Sequence, residues 1–286
     1  MRTGEYIQKR FQMWARRQGD ISSLQGSKGE RGEPNYTQTL EENLFQPLSA
    51  DARTELEKAA GRELSGSPCS MQALHSSAAM AVNLFDYFRQ QRTPEQAAKI
   101  LRIPSPRIAA MTFERKYPVI ANYREHGLTE PPHLDVGFDY EHPQRVGVEC
   151  KLFEPYGRLE HAGLRDAYLD LPDVWNDIPA CRKLAEELVE GSAGFIRLGP
   201  AQLLRHILGL KFGISAGQFR LVYLYYDAPG DEAAAHRSEI KRFSELISTD
   251  GIGFQAMSVQ RFIIRAASVL SDEHIPFVNY LSERYL

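Results

Sequence analysis

The chain has 286 residues, 43% hydrophobic and 25% charged, with a formal net charge of -3. These proportions suit a soluble globular protein with a sizeable core and exclude a disordered or low-complexity chain. The slight acidity speaks against a surface that grips nucleic acid all over, although a basic cleft fits inside a near-neutral total.

Three cysteines, Cys69, Cys150 and Cys181, are widely spaced, with no CxxC pair and no His/Cys cluster at zinc-ligand spacing. Neither a structural zinc site nor a disulfide framework is expected, and a reducing compartment fits. The N-terminus lacks the apolar core of a signal peptide, and no apolar run approaches the ~18 residues of a membrane span. A cytoplasmic protein is the expectation.

Residues 1–48 read as an N-terminal extension, partly flexible, and residues 49–286 as the main domain. The extension starts basic and aromatic, with Lys9, Arg10, Arg16 and Arg17 among Tyr6, Phe11, Met13 and Trp14. That pattern suits either contact with a nucleic-acid backbone or packing on the domain. The glycine-punctuated stretch 26–34 reads as a linker. A helix is predicted over 49–64, capped by Ser49, and a second over about 71–90, where small residues alternate with Val82, Leu84, Phe85 and Phe88. A third opens at Thr93-Pro-Glu-Gln96. The following text resembles a helix-turn-helix, but Pro104 and Pro106 stand where a recognition helix would begin. A helix leading into a strand is preferred.

Strands are predicted at 108–117, 134–140 and 147–153, the last two separated by the turn-like 141–144 as an antiparallel hairpin. Helices follow at 179–189 and 200–210, then a β-rich stretch at 219–226 that suits a buried strand better than a base-stacking surface. A helix over 233–247, a strand over 254–263 and a closing helix over 276–286 complete the chain.

One constellation carries chemistry. Residues two apart in an extended chain share a face, so Glu149 and Lys151 project together, away from Val148 and Cys150. Asp135 begins the partner strand of the hairpin and converges on the same spot. Carboxylate oxygens bind Mg²⁺, which activates water toward a phosphodiester, and a neighbouring lysine orients that water or offsets developing charge. The tripeptide E-x-K alone means little, since Glu114-Arg-Lys116 and Glu239-Ile-Lys241 also match. The last lies in helical text, where i and i+2 diverge. The first lacks an acidic residue at suitable distance upstream. Only Glu149/Lys151 has Asp135 at the right distance and apolar flanks, where a buried charge needs a purpose.

Pro131-x-x-x-Asp135 with Glu149-x-Lys151, on helix, three strands, helix, strand, resembles the PD-(D/E)XK nuclease superfamily. The helix 76–85, the strand end Phe113-Glu114 and the stretch 149–156 are similar to a bacterial restriction-endonuclease-like branch, over about residues 70–286. The resemblance implies a mixed α/β (α+β) fold with a restriction-endonuclease-like core, a central mixed sheet of about four or five strands flanked by helices. It further implies a Mg²⁺-dependent DNA endonuclease, restriction-like or defence-related, in which Mn²⁺ substitutes for Mg²⁺. Glu114 would complete the metal site of Asp135 and Glu149, although it lies in strand text rather than on the first helix. Gln202, on the helix after the lysine strand, would join the catalytic set. Arg205, one turn on, would face the same phosphate. Glu154 is either a partner of the site or a turn cap, and Arg102, Arg107 and the basic N-terminus would add DNA contacts. Relatives form homodimers to cut both strands, but no sequence feature marks an interface. The alternatives are a non-catalytic nucleic-acid-binding module on the same fold and an RNA-directed nuclease. The scattered histidines, His206 among them, read as structural or solvated.

Overall fold

The computed structural model describes residues 1–21, 23–26, 34–59, 63–157 and 163–286. Most of the stretch 26–34, expected as a linker, lies outside them. Five strands form one mixed sheet in the order β3-β4-β5-β6-β7: β3 Ile108–Lys116, β4 His133–Tyr140, β5 Arg145–Lys151, β6 Phe219–Tyr225 and β7 Gly253–Ser258. The strands β3, β4 and β5 run antiparallel, and β5, β6 and β7 parallel. A two-stranded ribbon, β1 Leu24–Gln25 with β2 Tyr36–Thr37, stands apart.

Alternation in the strands sends side chains to two cores. Val136, Phe138, Val148, Cys150, Val222 and Leu224 meet α1 Thr3–Ala15, α2 Ala50–Glu57, α3 Ser77–Gln90, α4 Pro94–Leu101, α8 Val259–Val269 and α9 Ile275–Tyr285. On the other side Leu221 and Tyr223 meet α5 Pro179–Val189, α6 Pro200–Lys211 and α7 Asp231–Leu246. Helices therefore cover both faces, as a parallel half-sheet requires. This is the mixed α/β architecture expected from the sequence. Tyr223 is a core residue whose hydroxyl lies 2.9 Å from His236 Nε2, so the tyrosine-rich strand is no stacking platform there. Among the described residues no helix is long and apolar enough to cross a membrane.

Three boundaries depart from expectation. The helix expected over 71–90 begins at Ser77, because the carbonyls of Met71 and Ala73 accept from the Asn43 side chain at 2.7 and 2.9 Å. Ser76 then caps the new start, accepting from Ala79 N. The helix expected over 49–64 starts on the Ser49 cap and ends at Glu57. The strand expected over 254–263 stops at Ser258, whose hydroxyl accepts from Arg261 N and opens α8. The residues Val259, Phe262, Ile263 and Ala266, all buried, repeat at helical spacing there. After α4 the chain turns at Arg102, in the left-handed region, and enters β3, so no recognition helix follows.

The N-terminal segment carries α1, whose Ile7, Phe11 and Ala15 are wholly buried in the first core. Its start is seated on the turn after β5. A Cβ on Gly4 would stand 2.9 Å from the Tyr156 carbonyl oxygen, so this approach needs glycine. Thr3 N donates to Glu232 Oε2 at 2.8 Å.

Candidate active site

Strand register brings three acids into one row. The pairs Val136↔Val148 and Gly137↔Gly147 set Asp135 opposite Glu149 one step further along β4 and β5. The pairs Phe113↔Val136 and Arg115↔Leu134 set Glu114 opposite Asp135. Directly opposed residues of antiparallel strands are nearest neighbours across the sheet. The β4–β5 ladder ends at Val136↔Val148, and Asp135 Oδ2 accepts from the Cys150 backbone N–H beyond it at 2.6 Å. The row lies by the carboxyl end of the parallel β5 and β6, the usual position of a ligand crevice in such sheets.

Glu149 is 2% exposed and has three partners. Lys151 Nζ lies 2.7 Å from its Oε1, and Gln202 Nε2 donates to the same oxygen at 2.8 Å. His206 Nε2 lies 3.0 Å from Oε2, without the alignment of a hydrogen bond. Burial pushes the Glu149 carboxyl up, but Lys151, with His206 next, overrides it and holds it down at about 2. We give Lys151 the larger part, since its contact has hydrogen-bond distance between opposite charges. Asp135 shifts the other way. Burial raises it well above the usual carboxylate range, and Glu149 and Glu114 add to the rise. Burial works against the Lys151 ammonium, but Glu149, Glu154 and Asp135 hold its pKa well above the ordinary lysine value. The centre is therefore an ammonium inside a surplus of carboxylates.

Glu114 has φ of 49° near the end of β3, a left-handed conformation that costs a non-glycine residue on the order of 1 kcal/mol. Its Oε2 lies 3.6 Å from His133 Nδ1. Glu154 caps the turn after β5. Its Oε2 accepts from Leu152 N and Phe153 N, its Oε1 accepts from Ser77 Oγ, and its charge acts on Lys151. Arg205 makes no ion pair with these carboxylates and lines a cleft of about 450 Å³ with Gln202, His206 and His133. The competing Glu239-x-Lys241 is structural: on α7, Glu239 accepts from the backbone N–H groups of Ile196, Arg197 and Leu198.

Three residues of the neighbourhood escaped the sequence reading. His206 follows Gln202 by four residues, so both share a helix face, and that spacing was the available signal. His133 comes from the start of β4. Glu63 sits in the turn after α2. Burial raises its carboxyl, Ser70 Oγ bonds it at 2.5 Å, and Glu114, Glu154 and Lys151 all act on it.

Among the described residues no three His, Cys, Asp or Glu side chains stand close enough to enclose a metal ion. Mg²⁺ needs no such cage, since it keeps several waters and takes one or two carboxylates. Asp135, Glu149 and Glu114 offer hard oxygen donors, and the upward push that Glu149 and Glu114 exert on Asp135 marks a negative surplus that a divalent cation would offset. The donor set fits a cation of this class.

Residues 8–286 match the family model described as "Restriction Endonuclease associating with ARP". The chain belongs to that family, in agreement with the restriction-endonuclease-like reading of its sequence. Comparison with curated proteins and with solved structures returned no match.

Proposed function

We propose, from this membership of a restriction-endonuclease family, that the chain is a Mg²⁺-dependent nuclease cutting DNA internally, with Mn²⁺ as a substitute. The observation that carries the proposal is the register-aligned row Glu114, Asp135, Glu149 with Lys151 Nζ at 2.7 Å from Glu149. Asp135 and Glu149 would hold the cation, with Glu114 at its side. When bound, the cation polarises the scissile phosphate and lowers the pKa of its water. Lys151 stays protonated, so it positions the attacking water and offsets charge on the phosphate and does not itself take a proton. Gln202 fixes the rotamer of Glu149 from α6. The Glu149 carboxylate, held at about 2, is ionised at any working pH, whereas burial and the neighbouring Glu149 and Glu114 raise Asp135, a push that a bound cation would oppose.

A metal-titrated cleavage assay on plasmid DNA tests this. Wild type is expected to nick or linearise the plasmid in Mg²⁺ or Mn²⁺, and Lys151→Ala, shown folded by circular dichroism, is expected to lose that activity. Equal cleavage by both proteins, or none with any divalent ion, would refute the reading. Both Glu149 oxygens are already engaged, which is the observation favouring a binding module without cleavage. DNA retention without metal-dependent cutting would establish that alternative, and a parallel RNA digest decides between DNA and RNA.

A further inference from the structure

The cleft beside the carboxylate row carries the opposite charge. Arg165 and Arg205 reach it, His133 and His206 line it, and Glu130 is the one acidic side chain in its wall among the described residues. Arg205 is half-buried and makes no hydrogen bond or ion pair among the described residues. A guanidinium has five donors, and a partly desolvated one without an acceptor lacks its compensation. Arg165 is oriented by donating to the Gly127 carbonyl at 2.9 Å, which leaves it further donors at the mouth of the cleft.

The two imidazoles repeat this deficit. Each ring sets one nitrogen against the row: His206 Nε2 lies 3.0 Å from Glu149 Oε2 and His133 Nδ1 lies 3.6 Å from Glu114 Oε2. Their remaining nitrogens, His206 Nδ1 and His133 Nε2, are buried and have no hydrogen-bond partner among the described residues. His206 itself is only 2% exposed. Buried polar atoms in native structures are nearly always satisfied, so orphaned atoms on two cleft-lining rings call for a ligand or ordered water. The cleft also adjoins the first turns of the twelve-residue helix α6, whose N–H groups favour an anion.

We propose that this cleft binds a phosphate group of the nucleic-acid strand, neighbouring the phosphate that is cut. This rests on the nuclease reading above. Forked guanidinium donors match the several acceptor oxygens of a tetrahedral anion. Gln202 and His206 line the cleft and also touch Glu149, so the cleft adjoins the carboxylate row and a strand would be held at both. Both an interior phosphodiester and a terminal 5′-phosphate have this chemistry.

The test is made in EDTA, where no cleavage occurs. Fluorescence anisotropy measures binding of a labelled oligonucleotide duplex, with and without 5′-phosphates, over a range of salt. Arg205→Gln and Arg165→Gln are each expected to weaken binding about tenfold, the loss of a charge-assisted hydrogen bond. Each should lower the salt slope by about 1, as for one lost phosphate contact. Lys241→Gln removes the same charge from a residue 79% exposed on α7 and is expected to change neither. Losses equal for both duplexes assign the cleft to an interior phosphate, and losses confined to the phosphorylated duplex assign it to a terminal one. Wild-type affinity and slope in both arginine variants would overturn the proposal. That failure is distinct from failure of the nuclease reading, which shows only when Mg²⁺ is added and Lys151→Ala still cuts, or nothing does.

Discussion

Replacing Lys151 by methionine keeps most of the side-chain length and removes the charge, which isolates what the ammonium does for Glu149. The two side chains are 18% and 3% exposed, so this is a largely buried pair. Removing one partner of such a pair costs about 3–5 kcal/mol, because the other charge stays buried. Gln202 still donates to Glu149 and His206 still lies against it, so the lower end, about 3 kcal/mol, is expected. A chain of this size has an unfolding entropy of roughly 0.6 kcal/mol/K, so the melting temperature should fall by about 5 °C. The pH dependence follows from the direction of the shift. Glu149 sits at about 2 in the folded chain against 4.5 as a model value. It therefore contributes stability above 4.5 that is lost as pH falls toward 2. Without the ammonium, burial drives this carboxyl upward and the contribution reverses, so stability falls as pH rises above 4.5. The deficit of Lys151→Met should grow between about pH 5 and pH 8. Adding Glu149→Gln removes the stranded charge and should recover most of the loss. Calorimetry on the three proteins in EDTA decides the matter. A single variant as stable as wild type at pH 8, or a double variant worse than the single, would refute the account of a buried charge held by its partner.

The remaining predictions concern the row and its support. Asp135→Asn should melt higher than wild type in EDTA at neutral to alkaline pH. A raised carboxyl favours the folded state at low pH and loses that contribution as pH rises through its folded value, while asparagine does not titrate. In wild type, Mg²⁺ at about 100 times its dissociation constant should stabilise by about 2.7 kcal/mol, or roughly 4–5 °C. A thermal shift should show this gain greater at alkaline than at acidic pH and absent in Asp135→Asn. Gly209→Ala should destabilise by about 1–3 kcal/mol and lower cleavage in Mg²⁺. Its Cβ would stand 2.6 Å from the Tyr117 carbonyl oxygen, which forces apart α6 and the chain after β3. Unchanged melting and turnover in that variant would mean that α6 does not need its close seat.

The hairpin was legible because local rules determine it. The Asp139↔Arg145 pair closes a short turn, and once that turn is placed, register alone carries Asp135 opposite Glu149. Nothing local determines the partnership of β3 with β4, whose connection runs through residues 117–132. Glu114 could thus be named from a resemblance but not placed from spacing. The missed start of α3 has the same origin. Asn43 interrupts the helix from far away in the sequence, and local propensity carries no sign of it. The end of β7 was different, since Ser258 followed by apolar residues at helical spacing was a readable cap.

The side chains around Glu149 show where sequence reasoning stops and why. The pattern Glu149-x-Lys151 is written in one strand, and Gln202 with His206 in one helix turn, so each pair was available by itself. What joins the two pairs is the packing of α6 on the sheet, at a separation in sequence that no periodicity reports. The histidine also looked ordinary because its function in the fold depends on its neighbour: an imidazole acquires meaning only once Glu149 stands 3.0 Å away. Glu63 and His133 extend the argument. Glu63 has no motif around it and His133 fills only an unspecified position of Pro131-x-x-x-Asp135; both matter because the row concentrates negative charge at one end of the sheet, where each nearby polar group must be either a partner or a cost. The motif therefore locates the chemistry, while the charge surplus around it defines the limits of the site.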